Sequence, residues 1–220
     1  MLLITVFKQG AVADHSLCSF LQKHGVKCKT MITHGEFPEI LYRSFDTLDF
    51  AQQFLSGHIR FGTVIGYRKI EGDRQDCTEG TAHYTVNGVT TKGELCSNNF
   101  YALCCHLDLG SALETNHGKY IVEVANPLYL AEEVTKSLRA LKSKHYGGVE
   151  GVFVEYDKGE EKDAVLTQIE ASRLTYCQKP ATYSPENEFR FVFNRQEFAG
   201  DNLFVYLQSG IGGGVIHDRT

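Results

Sequence analysis

The chain has 220 residues, 42% of them hydrophobic and 22% charged, and carries a formal net charge of -5. That length suits one large domain and that composition an ordinary soluble fold with a sizeable core. The acidic balance argues against a DNA coat or a polybasic membrane binder, whose affinity comes from neutralising phosphates, while leaving room for a small basic cleft.

At the start, "MLLITVF" is too short for a membrane span and lacks the charged start and cleavage site of a signal peptide, so it predicts a strand. "DHSLCSFLQKHG" predicts a helix with Asp14 as N-cap and Gly25 as its stop. Ile40 to Phe45 predicts a strand, because Pro38 ends what precedes it and Tyr, Leu and Phe favour the pleat. "DTLDFAQQFLSG" predicts a helix capped by Asp46, with Leu48, Phe50, Ala51, Phe54 and Leu55 as its apolar stripe and Gly57 at its end. "HIRFGTVIGYRKI" follows as a strand kinked at Gly62 or Gly66, and "EGDRQDCTEGTAH" as a polar surface loop.

The Asn-Gly pair in "HYTVNGVTTKGELC" marks a hairpin. "FYALCCHL" and "KYIVEVA" predict two more strands. "PLYLAEEVTKSLRALKSKH" is the clearest helix, with Leu128, Leu130, Ala131, Val134, Leu138 and Leu141 at near-helical spacing. "GGVEGVFVEYD", "AVLTQIEASRLTYCQKP", "FRFVF" and "LFVYLQ" come next, then "SGIGGGVIHDRT" as a mobile glycine-rich tail from residue 209 onward. Helices scattered among strands without βαβ alternation predict an α+β class with mixed or antiparallel sheets, in one domain over 1–220.

Seven cysteines, Cys18, Cys28, Cys77, Cys96, Cys104, Cys105 and Cys177, lack zinc spacing and contain no CxxC. They predict reduced thiols in a cytoplasmic protein without membrane attachment.

The chemistry concentrates in "YSPENEFRFVFN". Glu186 and Glu188 are two apart at the mouth of an apolar strand, so they are expected to face the same way. Neighbouring carboxylates raise each other's pKa unless a cation lies between them, which suits acid-base work or stabilisation of a cationic transition state. The competing reading is an ion pair of Glu188 with Arg190 or Arg43. In "ILYRSF", Arg43 alternates out of an apolar run, where an arginine needs a partner or an anion to bind.

"LYRSF", "FLSGHIRFG", "FYALCCHL…NHGKYIVEV" and "ENEFRFVF", taken in that order, resemble the Arg–Ser–Glu pattern of mono-ADP-ribosyltransferases. They also resemble a bacterial domain found near phage-defence and abortive-infection genes. The resemblance implies an ADP-ribosyltransferase-like fold and NAD as substrate. It implies a protein or nucleic-acid acceptor, and a toxin or anti-phage role with a possible antitoxin partner. It places Arg43, flanked by Tyr42 and Ser44, on the NAD phosphates. Glu188 falls on the ribose hydroxyl and the sugar's developing charge, and Glu186 on the acceptor. The family's middle Ser-Thr-Ser is not plainly present; Ser97 and Thr63 are the candidates. Tyr67 is expected to stack on a base or the nicotinamide ring.

Other features point elsewhere. Asp73, Asp76 and Glu79 leave open a metal-dependent nuclease, and the same scaffold could serve as a nucleotide- or phage-sensing module without catalysis. Cys104 and His106 share a strand face and could form a thiol–imidazole pair. His34 and His117 are minor binding candidates, and "GIGGGV" lacks the lysine of a phosphate-binding loop.

Overall fold

A computed structural model describes residues 36–69, 78–86, 89–95, 99–115, 117–140, 148–156, 168–195 and 199–219. The predicted N-terminal strand and helix, His34, Asp73, Asp76, Ser97 and the Asn-Gly turn lie outside these residues. The architecture is α+β, and every strand ladder in it is antiparallel.

The first strand, β1 (Leu41–Phe45), is followed by α1 (Leu48–Leu55), β2 (His58–Thr63) and a 3-10 turn over Ile65–Lys69. A hairpin of β3 (Thr81–Val86) and β4 (Val89–Glu94) precedes β5 (Phe100–His106), α2 (Leu109–Glu114) and β6 (Tyr120–Val124). Then come α3 (Pro127–Ala140), β7 (Glu150–Phe153) and α4 (Gln168–Cys177). A 3-10 helix over Ala181–Glu186 leads into β8 (Glu188–Asn194), β9 (Asn202–Tyr206) and β10 (Ile216–Asp218).

Local chemistry sets the helix ends. Thr47, not Asp46, caps α1: its hydroxyl accepts the Phe50 N–H. The stripe of α1 is narrower than its sequence suggests, since Ala51 and Phe54 are buried whereas Leu48 and Phe50 remain exposed. Asn126 caps α3 through Tyr129 N–H, with Pro127 at the first helical position, where a missing N–H costs nothing. One face of α3 buries Leu130, Ala131, Val134 and Leu138.

Alternation along β8 decides the layering. Phe189, Phe191 and Phe193 enter a main core with Phe54, Phe61, Tyr101 and Leu130, under α1 and α3. Arg190 and Val192 face the other way, where Val192 joins Val64, Ala102, Tyr176 and Cys177. On that side α4 packs on the β3–β4 hairpin.

The sheet forks at β5. One edge of β5 pairs with β8 along its whole length, from Phe100↔Asn194 to His106↔Glu188. The other edge is shared: β2 pairs at Tyr101 and Ala102, and β1 pairs only at His106. Between them no strand supplies donors, and side chains do so instead. The Ala102 carbonyl accepts from the Tyr67 hydroxyl at 3.2 Å, and the Cys104 carbonyl from the Arg43 guanidinium. Buried carbonyls must be paired, so Tyr67 and Arg43 complete the edge where the strands part.

The glycine-rich end, expected as a mobile tail, is instead built into the molecule. Ile211 is buried in the main core and β10 pairs with β6 through Ile216↔Val122. A Cβ at Gly214 would collide with the Glu123 carbonyl, so the segment fits because it lacks one. Among the described residues no helix is long and apolar enough to cross a membrane.

Candidate functional site

The fork opens into a pocket of about 420 Å³ lined from both arms and from β5 and β8. Arg43 and Ser44 of β1 stand on one side, Arg60, Gly62 and Thr63 of β2 on the other, and Glu186, Glu188 and His106 border the same space. The guanidinium from the first third of the chain and the acidic pair near its end therefore meet in one crevice.

The acidic pair is not delivered by strand alternation. Glu186 is the last residue of the 3-10 helix, and Asn187 adopts a left-handed conformation with φ 40° before β8 begins. Asn tolerates that conformation better than most residues. Its side-chain amide donates to Asp108 at 2.6 Å, and its carbonyl accepts from Leu107 N–H at 2.8 Å, pinning the kink to α2's N-terminus.

What gathers the two carboxylates is Lys179, whose ammonium lies 2.5 Å from Glu186 and 2.8 Å from Glu188. Behind them Arg190, 1% exposed, clamps Glu188 through Nε and Nη2 at 2.9 and 3.1 Å. Its Nη1 and Nη2 also hold both oxygens of Glu79, at 2.6 and 3.0 Å, and Nη1 donates to the Tyr176 carbonyl. The sequence alternative of a Glu188–Arg190 pair is thus present, and it sits inside the pocket wall.

These contacts separate the two glutamates. Burial works against ionisation of Glu188, but Arg190 and Lys179, with hydrogen bonds from Arg190 and the Cys104 thiol, hold its carboxyl well below the ordinary range. Burial and the negative charge of Glu188 push Glu186 up, against the pull of Lys179. The Lys179 ammonium resists the cost of burial because Glu188 holds its charge in place.

His106 is buried opposite Glu188, and its Nδ1 lies 2.7 Å from the Glu186 carbonyl. A carbonyl only accepts, so Nδ1 carries the hydrogen of the neutral ring and Nε2 keeps a lone pair. Burial lowers the His106 pKa from 6.5. Cys104 does not form a nucleophilic pair with it. Burial keeps that thiol protonated and it bonds to Glu188. Burial likewise pushes Cys105 up to about 12.

The other expected positions divide. Ser44, Tyr67 and Thr63 line the pocket, whereas the Tyr42 ring packs 6.3 Å from His217 in β10. Tyr67 is fixed by its bond to the Ala102 carbonyl and by its ring lying over Gly62, and burial raises its phenol pKa. The Thr63 hydroxyl accepts Gly66 N–H at 3.0 Å. Glu79, expected in a solvated loop, is 2% exposed with both oxygens bonded to Arg190. Among the described residues no three His, Cys, Asp or Glu side chains cluster so as to hold a metal ion.

Two side-chain atoms at the pocket, Arg43 Nε and Ser44 Oγ, are buried without a hydrogen-bond partner among the described residues. A buried donor without a partner is costly, and a phosphate oxygen is the kind of acceptor that would satisfy it. Lys179 was invisible in the sequence, because no periodicity links it across the 3-10 segment to Glu186. No protein-family model matches the chain, and neither a curated protein nor a solved structure shows significant similarity to it.

Proposed function

We propose that the chain is a mono-ADP-ribosyltransferase-like enzyme that splits NAD and passes ADP-ribose to a protein or nucleic-acid acceptor, in the role of a toxin or anti-phage effector. The observation that carries this reading is the meeting of Arg43 and Glu188 in one forked crevice. The pocket is bipolar, with Arg43, Arg60 and Lys69 among its cations and Glu186 and Glu188 among its carboxylates. NAD has matching halves, a doubly anionic pyrophosphate and a cationic nicotinamide riboside. Its volume falls in the usual range for small-molecule sites, roughly 300–1,000 Å³.

In this reading Arg43 and Ser44 bind phosphate through their unsatisfied donors. The bond from ribose C1′ to the nicotinamide nitrogen breaks, and the departing base takes both electrons. Positive charge then gathers on the sugar, where ionised Glu188 stabilises it. The acceptor's lone pair forms the new bond to C1′, and its proton passes to Glu186, whose raised pKa makes it the better base of the two. Arg190 and Lys179 position the carboxylates without touching substrate.

Incubation with NAD should release nicotinamide, and Glu188→Gln should slow release by about 10²- to 10³-fold, as for loss of one preorganised electrostatic contact. Wild-type protein that releases no nicotinamide and transfers no label to any acceptor overturns the proposal. The burial of Glu188 in a double ion pair favours a second reading, a nucleotide-sensing module. Saturable NAD binding without nicotinamide release would establish that one instead.

A further inference from the structure

The outward face of the β2–β9 pair carries residues that neither the fold nor the pocket uses. Three cross-strand rows run along it: His58↔Tyr206, Arg60↔Phe204 and Gly62↔Asn202. The intervening residues, Ile59, Phe61 and Val205, point into the core. Phe204 and Tyr206 are 53% and 62% exposed, far more than packing would leave two large rings on one strand. The His58 and Tyr206 rings meet edge to face with centroids 5.1 Å apart.

The last row belongs to the pocket, since Gly62 and Asn202 line it, and so does Arg60 of the middle row. With a rise of about 3.4 Å per residue, Phe204 and Tyr206 stand roughly 7 Å apart, and the Tyr206 row lies about 14 Å from the pocket row. Rings at such a spacing on an open sheet face can each take one base of an extended strand, because every base offers a π-face. Arg60 beside Phe204 supplies a cation for its phosphates, and Lys69 at the pocket, 3.8 Å from the Asp201 carboxylate, a weaker second one.

We propose that this face is a stacking platform for single-stranded nucleic acid, which it leads into the forked pocket as the acceptor. Binding rests on the platform alone; only the acceptor role rests on the NAD-splitting reading. The few cations and the net charge of -5 make stacking, not phosphate neutralisation, the main source of affinity. Salt dependence is accordingly shallow, with a log–log slope of about -1 for one or two phosphate contacts.

The test is fluorescence anisotropy with a short labelled oligothymidylate and the matching duplex, without NAD. Phe204→Ala and Tyr206→Ala are each expected to weaken single-strand binding by roughly five- to one-hundred-fold, the range of one base–aromatic stack. Both side chains are exposed, so the variants should keep the wild-type fold. Phe50→Ala, an exposed ring on α1, should change nothing. Failure of the wild type to bind, equal affinity for duplex, or indifference to both ring substitutions overturns the platform, as does equal weakening by Phe50→Ala. Because no NAD is present, these outcomes are independent of nicotinamide release. A platform that binds while label from NAD reaches only proteins would refute the acceptor role and leave the binding site standing.

Discussion

Arg190 has five N–H donors and all of them are engaged, by Glu79, Glu188 and the Tyr176 carbonyl. A guanidinium so saturated has nothing left for a ligand, so its role is to hold two carboxylates in place. Arg190→Met should strand Glu79, leave Glu188 to Lys179 alone, and cost about 3–5 kcal/mol, read from the urea midpoint. Arg190→Lys should not restore it, since an ammonium cannot grip two carboxylates bidentately. His106 gives a separate, pH-dependent signature. It faces the Glu186 carbonyl, Glu188, Arg43 and Asp108, and burial holds its pKa below 6.5. The folded state therefore binds fewer protons than the unfolded chain. The stability linked to His106 is whole above pH 6.5 and is lost as pH falls through the lower folded value. In His106→Gln, unfolding midpoints measured as the pH is lowered from 6.5 should lose this part of the slope.

At the scale of elements, the sequence was most informative where a period met a buried face. β8 alternates Phe189, Phe191 and Phe193 against Arg190 and Val192, and the two sets fill different cores. α3 likewise buries Leu130, Ala131, Val134 and Leu138 of its expected stripe, whereas Leu128 is exposed and Leu141 lies outside the described residues. The six-residue α2 was missed because so short a helix has too few turns to show a stripe; its signal was the Asp108 cap accepting Ser111 N–H. The burial of Glu79 was missed because its partner Arg190 lies 111 residues away in the chain. The candidate site was half legible: Arg43 and both glutamates stood out as charges in apolar surroundings, whereas Lys179 and the fork depend on which strands pair. Tyr67→Phe tests the fork directly. It should leave the Ala102 carbonyl without its donor and cost about 1–3 kcal/mol, read as a lowered thermal midpoint.

Across the whole molecule, distant stretches of chain close the structure. β10 pairs with β6 and Ile211 inserts into the core beside α1, so the glycine-rich end contributes to stability. Ile211→Ala should cost about 2–5 kcal/mol, as for other buried large-to-small changes, where a loose tail would show no effect in denaturant unfolding. The fork has a mechanical corollary. A continuous sheet cannot widen without breaking a ladder of bonds, but here a single residue pair, Tyr42↔His106, stitches β1 to β5. Beyond that pair the β1–β6–β10 arm is held by packing, with Leu41, Val122 and Val124 in the same core as Leu103, Phe189 and Phe191, while the β5–β8 ladder runs unbroken. Along this edge the only other link among the described residues is the Arg43 guanidinium on the Cys104 carbonyl, so a guest that draws Arg43 toward itself loosens one strand edge without disturbing the ladders on either side.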